Sequence, residues 1–518
     1  MKNYAPEMLS QIKNLLEISI ALSAEDDQKK ILEMILSEAR KITGADAGTI
    51  YLREDDYLKF KISHNDSLNV YKGVDGEEVD LPKVLISKDN VSGYSVMLKE
   101  TINIEDVYKA QEFDFSGPKK YDKITGYKTK SMLVVPLLDH VEKVIGVLQL
   151  INAQNEEGET VAFAPYYEKV VRALASQAAV SLVNKKHLDD IQKLLYAFVK
   201  VMATVIDQRS PYNANHTYRI AKFVERVIGK INDNSEGYFK DVFFNKEQTE
   251  ELIMAAWLHD IGKMAIPLSV MDKVNRLGGK LNLVLQRLEY IEKQIEFEFY
   301  KKKVETDINE LKANKICNEK LQKVRSAREL IKEANSPDNF VDKEMINKLE
   351  NIAQLSYVDI NGNEKKWLQD EELKYLSVAK GTLTAEERKI MQDHVKFARE
   401  ILDFIPFPER IKNVPRWIEQ HHEFLDGSGY PEGLENGEIS LPGRILAFID
   451  IFDALIADDR PYKKAMGTDK ALSILKNMVE ENKLDRHVYN LFYRENIASY
   501  LDEIDYNFLN FDELGIDN

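Results

Sequence analysis

Along the first 185 residues the apolar positions follow two different periods. From about Glu7 to Thr43 they recur at helical spacing. Three short apolar runs follow: Ala47 to Leu52, Ser131 to Leu138 and Val144 to Ala153. They are rich in β-branched residues, bounded by charge or glycine, and short enough to be strands. A long helical stretch then begins near Tyr166. The pattern predicts an α/β domain over residues 1–185 with flanking helices around a central antiparallel sheet.

The helix near Tyr166 is expected to run on into a second domain. Leu188, Ile191, Leu195, Phe198, Met202 and Val205 recur in steps of three and four. That spacing over a connecting segment at 186–206 fits a seam between two copies of the chain, and it also fits one amphipathic helix lying on its own domain. From about Tyr196 to Tyr500 the period is helical throughout, so an all-α domain is expected over 196–500. Within it, residues 275–373 are strongly charged. They predict a long helical hairpin, either with a solvated face or acting as a protein-binding arm. Residues 501–518 read as an acidic tail.

Composition narrows the function classes. The 518 residues are 44% hydrophobic and 31% charged, the balance of a folded chain long enough for two to four domains. A net charge of -16 argues against duplex nucleic acid, which needs clustered Lys and Arg. The one cysteine, Cys317, excludes an intrachain disulfide and a thiolate zinc cluster. The most apolar early stretch, Leu15 to Ala24, contains Glu17 and is too short for a bilayer, so a cytoplasmic protein without membrane insertion is expected.

The candidate chemistry lies among the nine histidines. His259 and Asp260 are adjacent, as are His421 and His422; His216, His394 and Asp450 fall in or at the ends of helical patterns. Imidazole with carboxylate suits first-row metals, and helices can project such side chains into a bundle interior. Seven donors exceed the needs of one tetrahedral ion and match two ions sharing a bridging carboxylate.

The segments "HDIGK" (259–263) and "HHEFLDGSGYP" (421–431), with "DALIADDRPYKKA" downstream, resemble the HD-GYP branch of the HD phosphohydrolases. The resemblance covers roughly Tyr196 to Met478 apart from the insertion. It implies a helical bundle that hydrolyses cyclic di-GMP, to the linear dinucleotide or on to GMP, or cyclic GMP-AMP. It also implies two divalent ions, iron or manganese. By the same resemblance His216, His259, Asp260, His394, His421, His422 and Asp450 are the metal ligands, with Asp260 bridging. Lys263 would lie beside the scissile phosphate, Gly429, Tyr430 and Pro431 would meet the substrate, and Arg460 and Lys463 would anchor phosphate. Asn213 and Asn215 stand where the family often has Thr and Gly. Tyr212 stands where some members have a Glu that holds a third ion, which implies two ions here. The insertion separates His259 from His394, so both can serve one site only if the flanking helix ends meet. A nucleotide-sensing scaffold acting through protein contacts, and a di-iron oxygenase, are the competing readings.

The N-terminal pairing "TKSMLVVPL" and "IGVLQLIN" resembles a GAF domain over roughly Met8 to Val183. This implies an unidentified small-molecule ligand. The Asn-Lys-Phe-Asp-Glu set that accompanies nucleotide binding in such domains cannot be traced, since Ala153 follows Asn152.

Overall fold

The computed structural model describes residues 5–25, 27–73, 81–209, 215–305, 310–457 and 466–504. The chain divides into two compact units, Met1–Leu194 and Leu195–Asn518.

In the first unit, helices α1 (Ala5–Ala24) and α2 (Gln28–Thr43) are separate, where the periodicity suggested one pattern from Glu7 to Thr43. Asp27 makes the break, accepting the Lys29 backbone N–H as the N-cap of α2. Next come β1 (Ala45–Glu54), β2 (Tyr57–Asn65), β3 (Val70–Lys72), β4 (Val84–Leu85), α3 (Val91–Leu98), β5 (Ile102–Ile104) and α4 (Ser116–Thr125). Then follow β6 (Met132–Leu138), β7 (Val144–Gln154), β8 (Thr160–Val161) and the long α5 (Pro165–Arg209). The sheet is antiparallel in the order β3-β2-β1-β7-β6-β5, with β4 on β2 and β8 on β7. Only β1, β6 and β7 announced themselves as apolar runs; β2, "YLKFKISHN", alternates with lysine and serine because it is partly exposed.

The sheet has two different faces. One packs Ile50, Ile62, Leu133, Leu148 and Leu150 against Ile35 and Leu36 of α2 and Leu174 and Ala178 of α5. The other carries Tyr51, Leu58, Met132, Val134 and Val147 toward Val91 and Val96 of α3.

On α5 four of the six expected seam residues are exposed, and the other two are replaced in the exposed stripe by their neighbours. Leu195 and Met202 pack partly on the core of the second unit. The exposed apolar side chains are Leu188, Ile191, Leu194, Phe198, Val201 and Val205, spaced by threes and fours.

The second unit continues with α6 (His216–Asn232), α7 (Lys246–Leu258), a 3-10 turn (Ile261–Ala265) and α8 (Leu268–Met271). The inserted block holds α9 (Leu281–Glu305), α10 (Glu310–Asn335), α11 (Lys343–Ala353), β9 (Ser356–Val358), β10 (Glu364–Lys366) and α12 (Asp370–Leu376). The unit closes with α13 (Ala385–Gln392), α14 (His394–Leu402), α15 (Val414–Glu419), α16 (Leu441–Ile456), α17 (Thr468–Glu480) and α18 (Arg486–Arg494). Its main core gathers Phe223, Leu252, Phe448, Phe452 and Phe492.

The insertion is more than the expected helical hairpin. It has its own buried core, including Leu277, Leu288, Val324, Ile331, Leu349, Trp367 and Leu368, and a β-hairpin that the helical reading of this stretch did not include. Its two ends meet on Arg276, which is fully buried. The guanidinium donates to the carbonyl oxygens of Val378 (2.7 Å), Ala334 (2.8 Å), Asn339 (2.7 Å) and Ser336. A buried cation with no carboxylate among these partners is held by carbonyl dipoles alone, which makes the stem rigid as long as every bond is kept.

Candidate metal centre

The seven predicted donors come together, six of them at or just beyond helix ends and Asp450 within a helix. His216 is the first residue of α6, and Asn215 before it sits at φ +63, a left-handed conformation that Asn adopts where the family often uses Gly. His259 ends α7, whose start is fixed by the capping box of Asn245 and Gln248. Asp260 leads into the 3-10 turn. His394 opens α14, His421 and His422 follow α15, and Asp450 lies within α16.

Gly262 makes the meeting across the insertion possible. A Cβ there would stand 1.8 Å from the His394 carbonyl oxygen and 2.5 Å from the Ala398 nitrogen, so only glycine allows the "HDIGK" turn to lie on α14. The condition set by the long insertion is thus met, and His259, Asp260 and His394 share one site.

The donors form two sets: His216, His259 and Asp450, and His394, His421 and His422. Asp260 lies between them. Its Oδ2 is 3.5 Å from His216 Nε2 and 3.4 Å from His259 Nε2, and its Oδ1 is 3.6 Å from His394 Nε2. Asp450 Oδ1 stands 3.4 Å from His216 Nε2, and its Oδ2 faces His422 Nδ1 at 3.8 Å. These separations are mostly long for hydrogen bonds. Donor atoms each about 2.1 Å from one ion lie roughly 3.0–3.5 Å apart.

The imidazoles are oriented from behind. Nδ1 of His259, His394 and His421 faces the carbonyl oxygens of Ala256 (2.8 Å), Met391 (2.7 Å) and Ile418 (2.5 Å). With the proton on Nδ1, each Nε2 is an acceptor aimed inward, and all three Nε2 atoms are buried without a hydrogen-bond partner. Buried polar atoms left unpaired are costly, so three of them within the two donor sets that flank Asp260 fit a divalent-ion site.

Electrostatics separates the sets. Burial pushes His421 well below the ordinary histidine range and His422 down to about 3, with neighbouring imidazoles adding to the effect. Burial lowers His394 as well, against the pull of Asp260. Burial opposes protonation of His216 and His259 too, but there the carboxylates win: Asp260, Asp450 and Asp453 raise His216, and Asp260 raises His259. Burial would raise Asp260, yet Lys263 and His259 hold it well below the usual carboxylate range. Lys263 Nζ donates to Asp260 Oδ2 at 2.5 Å.

The substrate-side predictions are only partly placed. Gly429 packs so closely that a Cβ would be 2.4 Å from the Phe424 nitrogen. Tyr430 lies beside His422 with ring centroids 4.8 Å apart, and Pro431 follows it half-buried. Arg460, Lys463, Tyr212, Asn213 and most of the acidic tail lie outside the described residues.

Three supporting carboxylates escaped the sequence reading. Asp453 is fully buried, 2.7 Å from His216 Nδ1, and pairs with Arg219 at 2.6 and 2.9 Å. Its signal was available: it sits three residues after Asp450, one turn along the same helix. Glu423 accepts the backbone N–H groups of Glu432, Gly433 and Leu434 and so fixes the turn after Tyr430. Asp207, near the end of α5, accepts the hydroxyl and backbone N–H of Thr217, next to His216. Neither of these two has a local sequence signature.

Comparison with known proteins now bears on this geometry. A GAF domain model matches residues 27–182 and an HD domain model matches residues 371–488. The chain carries a GAF domain followed by an HD domain. The HD match begins near the end of the insertion, so His259 and Asp260 lie outside it and are joined to it by the fold. Among curated proteins, a 3'3'-cGAMP-specific phosphodiesterase 1 of Vibrio cholerae is 36% identical over 23% of this chain and 27% of its own length. Phosphodiesterase 3 of the same name and organism is 46% identical over 20% of each chain. A cyclic di-GMP phosphodiesterase response regulator of Xanthomonas campestris is 43% identical over 18% of this chain and 25% of its own. The matched region spans about a quarter of these relatives. HD domains bind divalent metal, and the two donor sets described above have the composition for it. Among the described residues, no helix is long and apolar enough to cross a membrane.

Proposed function

We propose that this chain is a metal-dependent phosphodiesterase of the HD-GYP type that hydrolyses a cyclic dinucleotide. The observation that carries the reading is the convergence of unpartnered Nε2 atoms from His259 and His394 on the two oxygens of Asp260, with a third unpartnered Nε2, from His421, in the same donor set as His394. His216, His259 and Asp450 would hold one ion, His394, His421 and His422 the other, and Asp260 both. Iron or manganese suits this mixed nitrogen and oxygen set. Two such ions, when bound, would supply an activated water and charge stabilisation for in-line displacement at phosphorus.

The protein's own groups do the rest. Lys263, anchored on Asp260, places a positive charge where a phosphoryl oxygen gains charge, and it is a proton donor for the leaving oxygen. Tyr430 offers a ring and a hydroxyl to the nucleotide at the mouth. Its hydroxyl stays protonated, because burial and then the Asp450 and Asp260 charges raise its pKa. Arg460 and Lys463 are assigned to the phosphates on the strength of the family pattern.

Cyclic di-GMP is the first substrate, with the linear dinucleotide as product. The names of the two Vibrio relatives favour 3'3'-cGAMP as the second. The GAF domain is read as the regulator, and the exposed stripe on α5 as the surface that pairs two copies. The inserted block is a candidate protein-binding arm. A cytoplasmic location accords with the single cysteine.

The test is hydrolysis of both dinucleotides by anaerobically purified, iron-loaded protein beside Asp260→Ala, with products resolved by chromatography. Cleavage of either one that disappears in the variant supports the reading. Binding without cleavage by protein holding two ions per chain favours the scaffold.

A further inference from the structure

The face of the GAF sheet turned toward α3 encloses a cavity of about 520 Å³. That is ample for a small ligand. Its walls are apolar and aromatic, with Tyr51, Phe60, Val91, Phe115, Met132 and Ile151 among them.

The floor is different. Ser63, Thr49 and Gln149 stand side by side in register across β2, β1 and β7. A sheet face buried under other elements is normally apolar, and polar groups placed there cost stability unless bonded. Here the bonding is incomplete. Thr49 Oγ1 and Ser63 Oγ share one contact at 3.1 Å, which leaves a second hydroxyl proton to place. Tyr51 donates its hydroxyl to Gln149 Oε1 at 2.8 Å and keeps its own lone pairs. Gln149 Nε2 points at Met132 Sδ, 3.1 Å away and a weak acceptor. The row therefore presents hydroxyl and amide donors next to free lone pairs, inside aromatic walls.

The charge of the lining selects further. Among the described lining residues there is no Lys or Arg, and the one carboxylate, Asp114, already accepts from the Ser116 backbone (2.8 Å) and hydroxyl (3.0 Å). His64 at the margin is pushed toward its neutral form by burial and then by the Arg40 charge. A phosphate or carboxylate entering this cavity would lose its water without gaining a counter-ion from the described lining residues.

We propose that the cavity binds an uncharged planar ring compound, a heteroaromatic base or nucleoside rather than a nucleotide, whose edge is read by Ser63, Thr49 and Gln149. This does not depend on the hydrolytic reading, and its test does not use hydrolysis. The full chain is screened against matched pairs, guanosine with GMP, adenosine with AMP, and indole with indole-3-acetate, by saturation-transfer NMR and thermal shift. Thr49→Val with Ser63→Ala removes the two hydroxyls of the floor and leaves Gln149. Ile151→Trp fills the space, and serves as a second variant should the first fold poorly. The expected result is binding by uncharged members only, weakened about tenfold or more by the floor variant, the effect of losing one or two hydrogen bonds, and abolished by the filled cavity. Equal or tighter binding by the anionic members, binding unaffected by both variants, or no binding by any uncharged member overturns it.

Discussion

Gly262 rests on the backbone of His394, with no room between them for a methyl group. Residues 132 positions apart in sequence are thereby locked into one site (262 and 394). Replacing Gly262 by Ala forces the 3-10 turn off α14. The expected cost is about 1–3 kcal/mol or more, as for other insertions into tight packing. Chemical denaturation checks the stability, and elemental analysis of the purified variant is expected to show the His394 set depleted of metal.

Asp453 supports the site from behind. Asp453→Asn keeps the size but removes the charge that pairs with Arg219 and faces His216. Breaking such a buried pair costs about 3–5 kcal/mol, and losing the carboxylate behind a metal-bound histidine lowers affinity by about 10–100-fold. Metal titration of the variant measures the second effect, and Asp453→Glu is expected to recover part of it.

Acidification should remove the ions in order. His216 and His259 hold protons more tightly than ordinary histidine, because carboxylates outweigh burial there. A proton on a donor must leave before an ion binds, so affinity at this set falls as pH drops through the raised pKa values. His394, His421 and His422 are pushed down, stay unprotonated further into acid, and keep their ion longer. Metal content after equilibration from pH 8 downward is expected to pass through a plateau of one ion per chain. Simultaneous loss of both would contradict this ordering.

Arg276 closes the stem of the insertion. Arg276→Met leaves the carbonyl oxygens of Ala334, Ser336, Asn339 and Val378 without their donor. Buried groups left so cost about 1–3 kcal/mol each. Hydrogen exchange is expected to show the block from α9 to α12 opening at lower free energy than the main helical core. Uniform protection across both would mean the stem does not depend on this residue.

The candidate donors were more legible in the sequence than the scaffold that aims them. His259, Asp260, His421 and His422 stand out because adjacent polar pairs interrupt apolar helices. Asp453 is marked only by lying one turn after Asp450, and Glu423 and Asp207 act on backbone groups or side chains brought near by folding. The strands β1, β6 and β7 were visible as apolar runs because they lie at the centre of the sheet, whereas β2 is half-exposed and reads as polar. On α5 four of the six expected stripe residues, Leu188, Ile191, Phe198 and Val205, are exposed, and two are not. Leu195 and Met202 turned out to serve the core while Leu194 and Val201 face outward, a distinction a three-and-four spacing alone does not make. Inside the insertion, the charged helical pattern hid the β-hairpin, whose strands are three residues each.

The central claim is that residues on both sides of the insertion build one hydrolytic site. The most direct measurement is the initial rate of cyclic di-GMP hydrolysis by the iron-loaded full chain, beside His259→Ala and His394→Ala of matched fold and stability. The account predicts turnover in the parent protein and a loss of roughly 100-fold or more in each variant, since each removes a donor next to Asp260. Full activity in His394→Ala would contradict it, as would the absence of cyclic dinucleotide turnover by parent protein carrying two ions per chain.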